Sequence, residues 1–277
     1  MLEYFLNKSC LIVTKHHKEK VIAPILNDRL GLKCIAVESI DTDILGTFSG
    51  EIERTESPLT TVKKKCLLGD SIQDVDFIIA NEGSFGPHPF IPFLKADEEY
   101  MCLYDKNEKE FIVEKKIFLE TNFSTEIINS MDQIDPILEK FKFPSHGVLI
   151  MSKNNLIKDV ESEKIIKRHV CEILEKEGQC EINTDMRAMK NPTRMDCISQ
   201  LTNKLVDSIL STCEHCNWHG FKVKEAVEGL KCSLCNRPTK SILYHLLSCN
   251  KCLFEKKLMY PNNKFNEDPA YCDWCNP

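Results

Sequence analysis

Cys213-Glu214-His215-Cys216, Cys232-Ser233-Leu234-Cys235, Cys249-Asn250-Lys251-Cys252 and Cys272-Asp273-Trp274-Cys275 close this 277-residue chain as four Cys-x-x-Cys pairs. They hold eight of the fifteen cysteines, with 15, 13 and 19 residues between successive pairs. A two-residue spacer lets both sulfurs reach one ion, and zinc favours four thiolates in a tetrahedron. The spacing predicts two structural Zn2+ sites of four cysteines each, in a double zinc-ribbon-like module over residues 212–277. Two pairings are open. Sequential pairing joins first with second and third with fourth, whereas nested pairing joins first with fourth and second with third.

Residues 201–277 carry ten Lys/Arg and eight Asp/Glu. Eight thiolates around two zinc ions bring that to a charge of about −2 by simple counting. Such a tail argues against a nucleic-acid clamp, which needs a basic face. Trp218, Phe221, Tyr244, Phe254, Tyr260 and Trp274 are read first as cover for metal sites with little other core. Four thiolates also close a zinc site, which argues against catalytic zinc, and His215, His219 and His245 are not needed as ligands.

Upstream, residues 1–211 alternate strand-length apolar runs with helix-period segments. Strands are expected at 9–13, 33–38, 76–80, 147–151 and 179–184, with a hairpin at 99–105 and 110–119. Helices are expected at 16–30 (Thr14 as cap, Pro24 as kink, Gly31 as stop), from Ser57-Pro58 to Gly69, near 131–141, at 161–177 and at 195–211. That order gives an α/β domain with a mixed sheet, followed by the metal module. No apolar run reaches the length of a membrane span, and clustered cysteines of this kind fit a reducing, cytoplasmic setting.

Sites in open α/β sheets form at the carboxyl ends of strands. Three polar segments fall there. After the first strand, Thr14, His16, Lys18 and Lys20 precede or open a helix, where cations and free N–H groups suit a phosphate. After the third, Asn81-Glu82-Gly83-Ser84-Phe85-Gly86-Pro87-His88-Pro89 offers Glu82 and Ser84 in a glycine-rich loop. After the strand at 179–184, residues 184–195 carry Asp185, Arg187, Lys190 and Arg194, and the two arginines suit bidentate capture of a phosphate. Asp41 and Asp43 are candidates to join Glu82 around Mg2+, which prefers oxygen ligands.

Together these segments resemble an uncharacterised bacterial family built on a domain of unknown function. The likeness lies in His17 to Lys20, Asp41 to Glu51, the 81–89 and 185–195 motifs, and the cysteine-rich tail ending Cys275-Asn276-Pro277. The arrangement is also similar to that of inosine/xanthosine triphosphate pyrophosphatases. Thr14 to Lys18 stands for their strand–Thr-x-Asn-x-x-Lys–helix start, with His16 in place of Asn. Glu82 with Gly83 to Pro87 stands for their metal-binding acid and loop, and Arg187 and Lys190 for their late phosphate-binding cations. The three polar segments, with that resemblance, point to a Mg2+-dependent phosphoanhydride hydrolase with Glu82 and Asp185 as its acids, acting on a nucleotide or other phosphorylated small molecule. The alternative is an adaptor that binds protein or nucleic acid through its zinc ribbons.

Overall fold

The computed structural model describes residues 2–37, 56–153 and 155–277. Asp41, Asp43 and the rest of the loop to Glu51 lie outside them. The chain divides into two compact units, Met1–Leu205 and Val206–Pro277. The first is a mixed α/β unit, and it holds two sheets rather than the single one expected.

The larger sheet has the order β2-β1-β3-β4-β5. Its strands are β1 (Ser9–Val13), β2 (Lys33–Ala36), β3 (Phe77–Pro87), β4 (Lys95–Asp105) and β5 (Glu110–Phe118). β2, β1 and β3 are parallel, β4 adds antiparallel to β3, and β5 adds antiparallel to β4. Residues two apart share a face of a strand. Leu11, Val13, Ile78, Ala80, Cys102 and Tyr104 therefore point one way. They pack on Val62 and Cys66 of helix α2 (Pro58–Asp70). Ser57 caps that helix by accepting from the Thr60 N–H at 3.2 Å. On the other side, α1 (Glu19–Leu30) and α5 (Pro192–Leu210) are tied by Arg29 Nη1 donating to Asn203 Oδ1 at 3.2 Å.

Two local expectations are corrected. α1 starts at Glu19, not 16, because His16 (φ 68°) and His17 (φ 59°) occupy the left-handed region. Thr14 does not cap it, since its hydroxyl donates to the Lys15 carbonyl at 2.9 Å. The stop at Gly31 does occur, with φ 69° and its N–H on the Asn27 carbonyl. The segment 81–87 is not a loop. β3 runs through it to Pro87, paired residue for residue with β4.

The smaller sheet is antiparallel, with β6 (Thr125–Ile128), β9 (Cys180–Thr184), β7 (Val148–Met151) and β8 (Leu156–Ile157) in that order. Ile166, Val170 and Ile173 of α4 (Glu163–Glu177), at helical spacing, pack with Ile150 and Ile182 of the sheet. Leu138 of α3 (Ile134–Lys140) completes that core. β6 and β8 are too short to have shown in the sequence pattern.

The second unit is built on the antiparallel sheet β10 (Lys222–Glu228), β11 (Ile242–Ser248) and β12 (Glu255–Met259). Among the described residues no helix is long and apolar enough to cross a membrane.

Candidate functional site

The eight cysteines gather into two groups, Cys213, Cys216, Cys249 and Cys252, and Cys232, Cys235, Cys272 and Cys275. First pairs with third and second with fourth, so neither sequential nor nested pairing holds. The sheet dictates this. A seven-residue strand spans about 24 Å. Successive pairs therefore fall at opposite ends of β10 and β11, and an antiparallel sheet brings alternate ends together. Lys222 lies opposite Ser248, which places the pair before β10 beside the pair after β11.

The geometry fits a tetrahedral metal. Four sulfurs each about 2.3 Å from a zinc ion stand about 3.8 Å apart. Here Cys213–Cys252 and Cys235–Cys272 are 3.7 Å apart, Cys216–Cys249 3.6 Å and Cys232–Cys275 3.8 Å. Backbone N–H groups turn in on the sulfurs, with His215 N to Cys213 and Leu234 N to Cys232 both at 3.4 Å. Around the first group Trp218, Phe221 and Phe254 form the core. His215 is exposed and stacks on Phe254, while buried His219 places Nδ1 2.9 Å from the Ile209 carbonyl. Neither joins a cysteine group. Beside the second group, the buried Glu267 takes Ser241 Oγ and the Lys264 ammonium. These groups can hold two metal ions, and their closed thiolate sets suit a structural role.

A second constellation lies in the first unit, at the carboxyl end of β1. That strand stops at Val13, opposite Ala80 of β3. β3 continues past it with no neighbour on that side from β1. Buried charge fills the space. Lys18 donates from Nζ to Asn81 Oδ1 at 2.8 Å, and Asn81 Nδ2 donates to Glu99 Oε2 at 2.8 Å. The other oxygen of Glu99 accepts from Arg194 Nε at 2.7 Å. Arg194 also donates to the Met186 carbonyl at 2.6 Å and lies over the Phe85 ring at 5.0 Å. On the opposite face of β3, Glu82 pairs with Lys65 of α2. Asp97, two residues before Glu99 on the same face, is 1% exposed, and its Oδ1 has no hydrogen-bond partner among the described residues. Three buried basic side chains and three buried acids thus lie across the two faces of β3, Lys18 and Arg194 with Asp97 and Glu99 on one and Lys65 with Glu82 on the other. Each buried ion costs several kcal/mol in lost hydration. An arrangement this costly to stability, set at a strand end, is a candidate functional centre.

Gly83 allows the close packing. A Cβ there would lie 2.5 Å from Glu99 Oε1 and 2.6 Å from Arg194 Nη2. Gly83→Ala is expected to cost about 1–3 kcal/mol by overpacking, read as a lower denaturation midpoint.

Burial, then the neighbouring charge of Glu99, pushes the Asp97 carboxyl up to about 8. Burial, then Arg194, pulls the Lys18 ammonium down to about 7. The sign for Asp97 follows from proton counts. Between about pH 4 and 8 the folded chain keeps a proton that the unfolded chain releases, so stability falls as pH rises through that window. Asp97→Asn should remove this slope, so its melting temperature should gain on wild type as pH increases from about 4 to 8. Lys18 acts oppositely between about 7 and 10.5, where the unfolded chain holds the extra proton.

A cavity of about 230 Å3 opens beside this cluster, lined by Thr14, Lys15, His16, His17, Glu19 and Met189. It brings the 14–19 loop against the 185–195 segment. Of the residues expected in a site, Thr14 and His16 line this cavity, Lys18 and Arg194 belong to the buried cluster, and Glu82 lies on the other face of β3 with Lys65. Ser84 is half-buried on the Glu82 side of β3, and Lys20 is exposed on α1. The remainder form a separate network at the end of β9. Arg187 donates from Nε to Asp185 Oδ1 at 3.0 Å and from Nη2 to Asp159 Oδ1 at 2.8 Å. Lys190 Nζ stands 3.5 Å from the same Asp159 oxygen. Lys65, Asp97 and Glu99 lie outside the segments singled out in the sequence, and Asn81 lies within one without a role assigned. The signal for the two acids is the alternation Asp97-Glu98-Glu99-Tyr100-Met101, in which period two turns Asp97 and Glu99 inward with Met101.

No curated protein matches this chain. A family model, described as Domain of unknown function (DUF6671), matches residues 65–277. The matched stretch holds Lys65, the β3–β4 acids, Arg194 and all eight clustered cysteines, and the chain belongs to that family.

Proposed function

We propose that the Met1–Leu205 unit binds a nucleotide or other phosphorylated small molecule at the carboxyl end of β1 and hydrolyses its phosphoanhydride. The cysteine groups would hold two structural zinc ions. The observation that carries this reading is the buried charge past the end of β1, where Lys18 and Arg194 lie with Asp97 and Glu99 on one face of β3 and Lys65 with Glu82 on the other. The first N–H groups of α1 point toward its N-terminus, and with Lys15 they favour an anion there. Lys18 and Arg194 supply positive charge from below, in a setting dry enough to strengthen it. Glu82, held by Lys65, would take the proton of an attacking water. Mg2+ arriving with the ligand would polarise the phosphoryl oxygens.

The test is phosphate and pyrophosphate release from a panel of nucleoside di- and triphosphates with Mg2+. Wild type should turn over at least one member. Lys18→Met and Glu82→Gln should each lose at least about 100-fold, the scale of a missing general base or charge stabiliser. Equal turnover by Glu82→Gln would remove that residue from the mechanism.

A second reading, a protein-binding adaptor, has its own observation. Leu234 and Trp274, inside two cysteine pairs of one metal group, are 74% and 66% exposed, and Arg237 stacks 4.0 Å from the Trp274 ring. Rigid aromatic and arginine side chains of this kind anchor interfaces. Inactivity across the nucleotide panel, with a partner lost on Trp274→Ala, would favour it.

A further inference from the structure

A cavity of about 520 Å3 lies on the seam between the two sheets of the first unit. The start of β4, the β5–β6 connection, the end of α3 and the start of α5 enclose it. Its polar lining consists mainly of donors. Lys95, Lys140 and Lys142 supply ammonium groups, and Ser124 and Thr193 supply hydroxyls. Glu120 is the one acid among its lining residues. Lys95 Nζ is fixed toward the cavity by its bond to Ser124 Oγ at 3.0 Å. Lys140 is paired with Glu126, which leaves Lys95 and Lys142 as the principal cations.

Two features show more than a basic surface. Asn122 accepts on Oδ1 from Asn191 Nδ2 at 2.8 Å, which fixes the amide's orientation. Its own Nδ2 is then buried with no acceptor among the described residues. A buried donor left unpaired costs about 1–3 kcal/mol, and this one, with no accessible surface, meets a ligand oxygen only when the amide turns toward the cavity. Lys142, for its part, sits at φ 62° just past α3. Its N–H donates to the Glu139 carbonyl and that of Phe143 to the Leu138 carbonyl, both at 2.9 Å, a helix ending that favours glycine. A lysine there accepts strain that glycine avoids, and it sets the ammonium at the cavity rim. Phe123 and Phe141 form an apolar wall.

We propose that this seam cavity is a second binding site, independent of the one at β1, for a phosphate monoester with a planar or apolar body. Lys95 and Lys142 bind the phosphate, the Asn122 amide turns to join them, and the phenylalanine wall takes the body. Thr193 lines this cavity while the next residue, Arg194, holds Glu99.

Calorimetry on the full metal-loaded chain tests this with phenyl phosphate and inorganic phosphate at constant ionic strength. Phenyl phosphate should bind, and more tightly than inorganic phosphate. Lys95→Ala with Lys142→Ala should weaken it at least tenfold. Asn122→Asp keeps the acceptor for Asn191, removes the donor and adds an anion, so it should abolish binding in a chain that retains its far-UV spectrum and metal content. Lys18→Met should leave phenyl phosphate affinity unchanged, whatever becomes of activity at β1. No binding by wild type, binding indifferent to Lys95, Lys142 and Asn122, or binding lost on Lys18→Met alone would each overturn the proposal.

Discussion

Cys272→Ser will release one of two metal ions and expose Cys232, Cys235 and Cys275 to alkylation, while Cys213, Cys216, Cys249 and Cys252 stay protected. The expectation follows from the grouping of sulfurs within 4.8 Å of one another. Sequential pairing would expose Cys249 and Cys252 instead, and nested pairing Cys213 and Cys216, so mapped alkylation with metal counting separates all three. The effect on folding should be large. Structural zinc contributes roughly 10–16 kcal/mol of apparent binding free energy in small modules, against about 5–15 kcal/mol of net stability for a typical domain. The apolar core described here is built around the first group, from Trp218, Phe221 and Phe254. Both faces of β10–β12 are half-buried or exposed, so the sheet alone buries little. Chelation of both ions should therefore unfold Val206–Pro277, seen as loss of amide protection across β10, β11 and β12.

Arg194→Met is the second large effect. Arg194 and Glu99 are both fully buried, and each meets the other with no water between. Removing the guanidinium leaves a buried carboxylate uncompensated, at a cost of about 3–5 kcal/mol. The loss should fall sharply in the double variant Arg194→Met with Glu99→Gln, because the glutamine carries no charge to strand. Denaturant midpoints of the two singles and the double complete the cycle, and additive losses would mean the two side chains do not act as a pair. Arg187→Met is the comparison. It also strands a buried acid, Asp185, but Arg187 is 15% exposed and its loss should cost less.

What the sequence made legible follows from how local each signal is. A Cys-x-x-Cys pair states its chemistry within four residues, so the metal groups could be read directly. Their pairing depends on strand direction, and Lys222–Glu228 and Glu255–Met259 carry too many charges to show a strand pattern. Lys18, Glu82 and Arg194 stood out because polar residues at strand ends are conspicuous. Lys65 did not, since a lysine on an exposed-looking helix reads as a solvated face. Asp97 and Glu99 were hidden for a different reason. A strand edge rich in acids normally faces water, and only the long register of β3 on β4 turns these two inward. Gly83 looked like a loop residue, whereas its lack of a side chain serves close packing inside a strand.

Hydrogen exchange of the metal-loaded chain with and without Mg2+-pyrophosphate tests the central claim most directly. Binding at β1 predicts slowed exchange over residues 14–22, where the loop meets the first turn of α1, and no change in β10–β12. Protection confined to Val206–Pro277, or none anywhere in the first unit across the nucleotide panel, would contradict it.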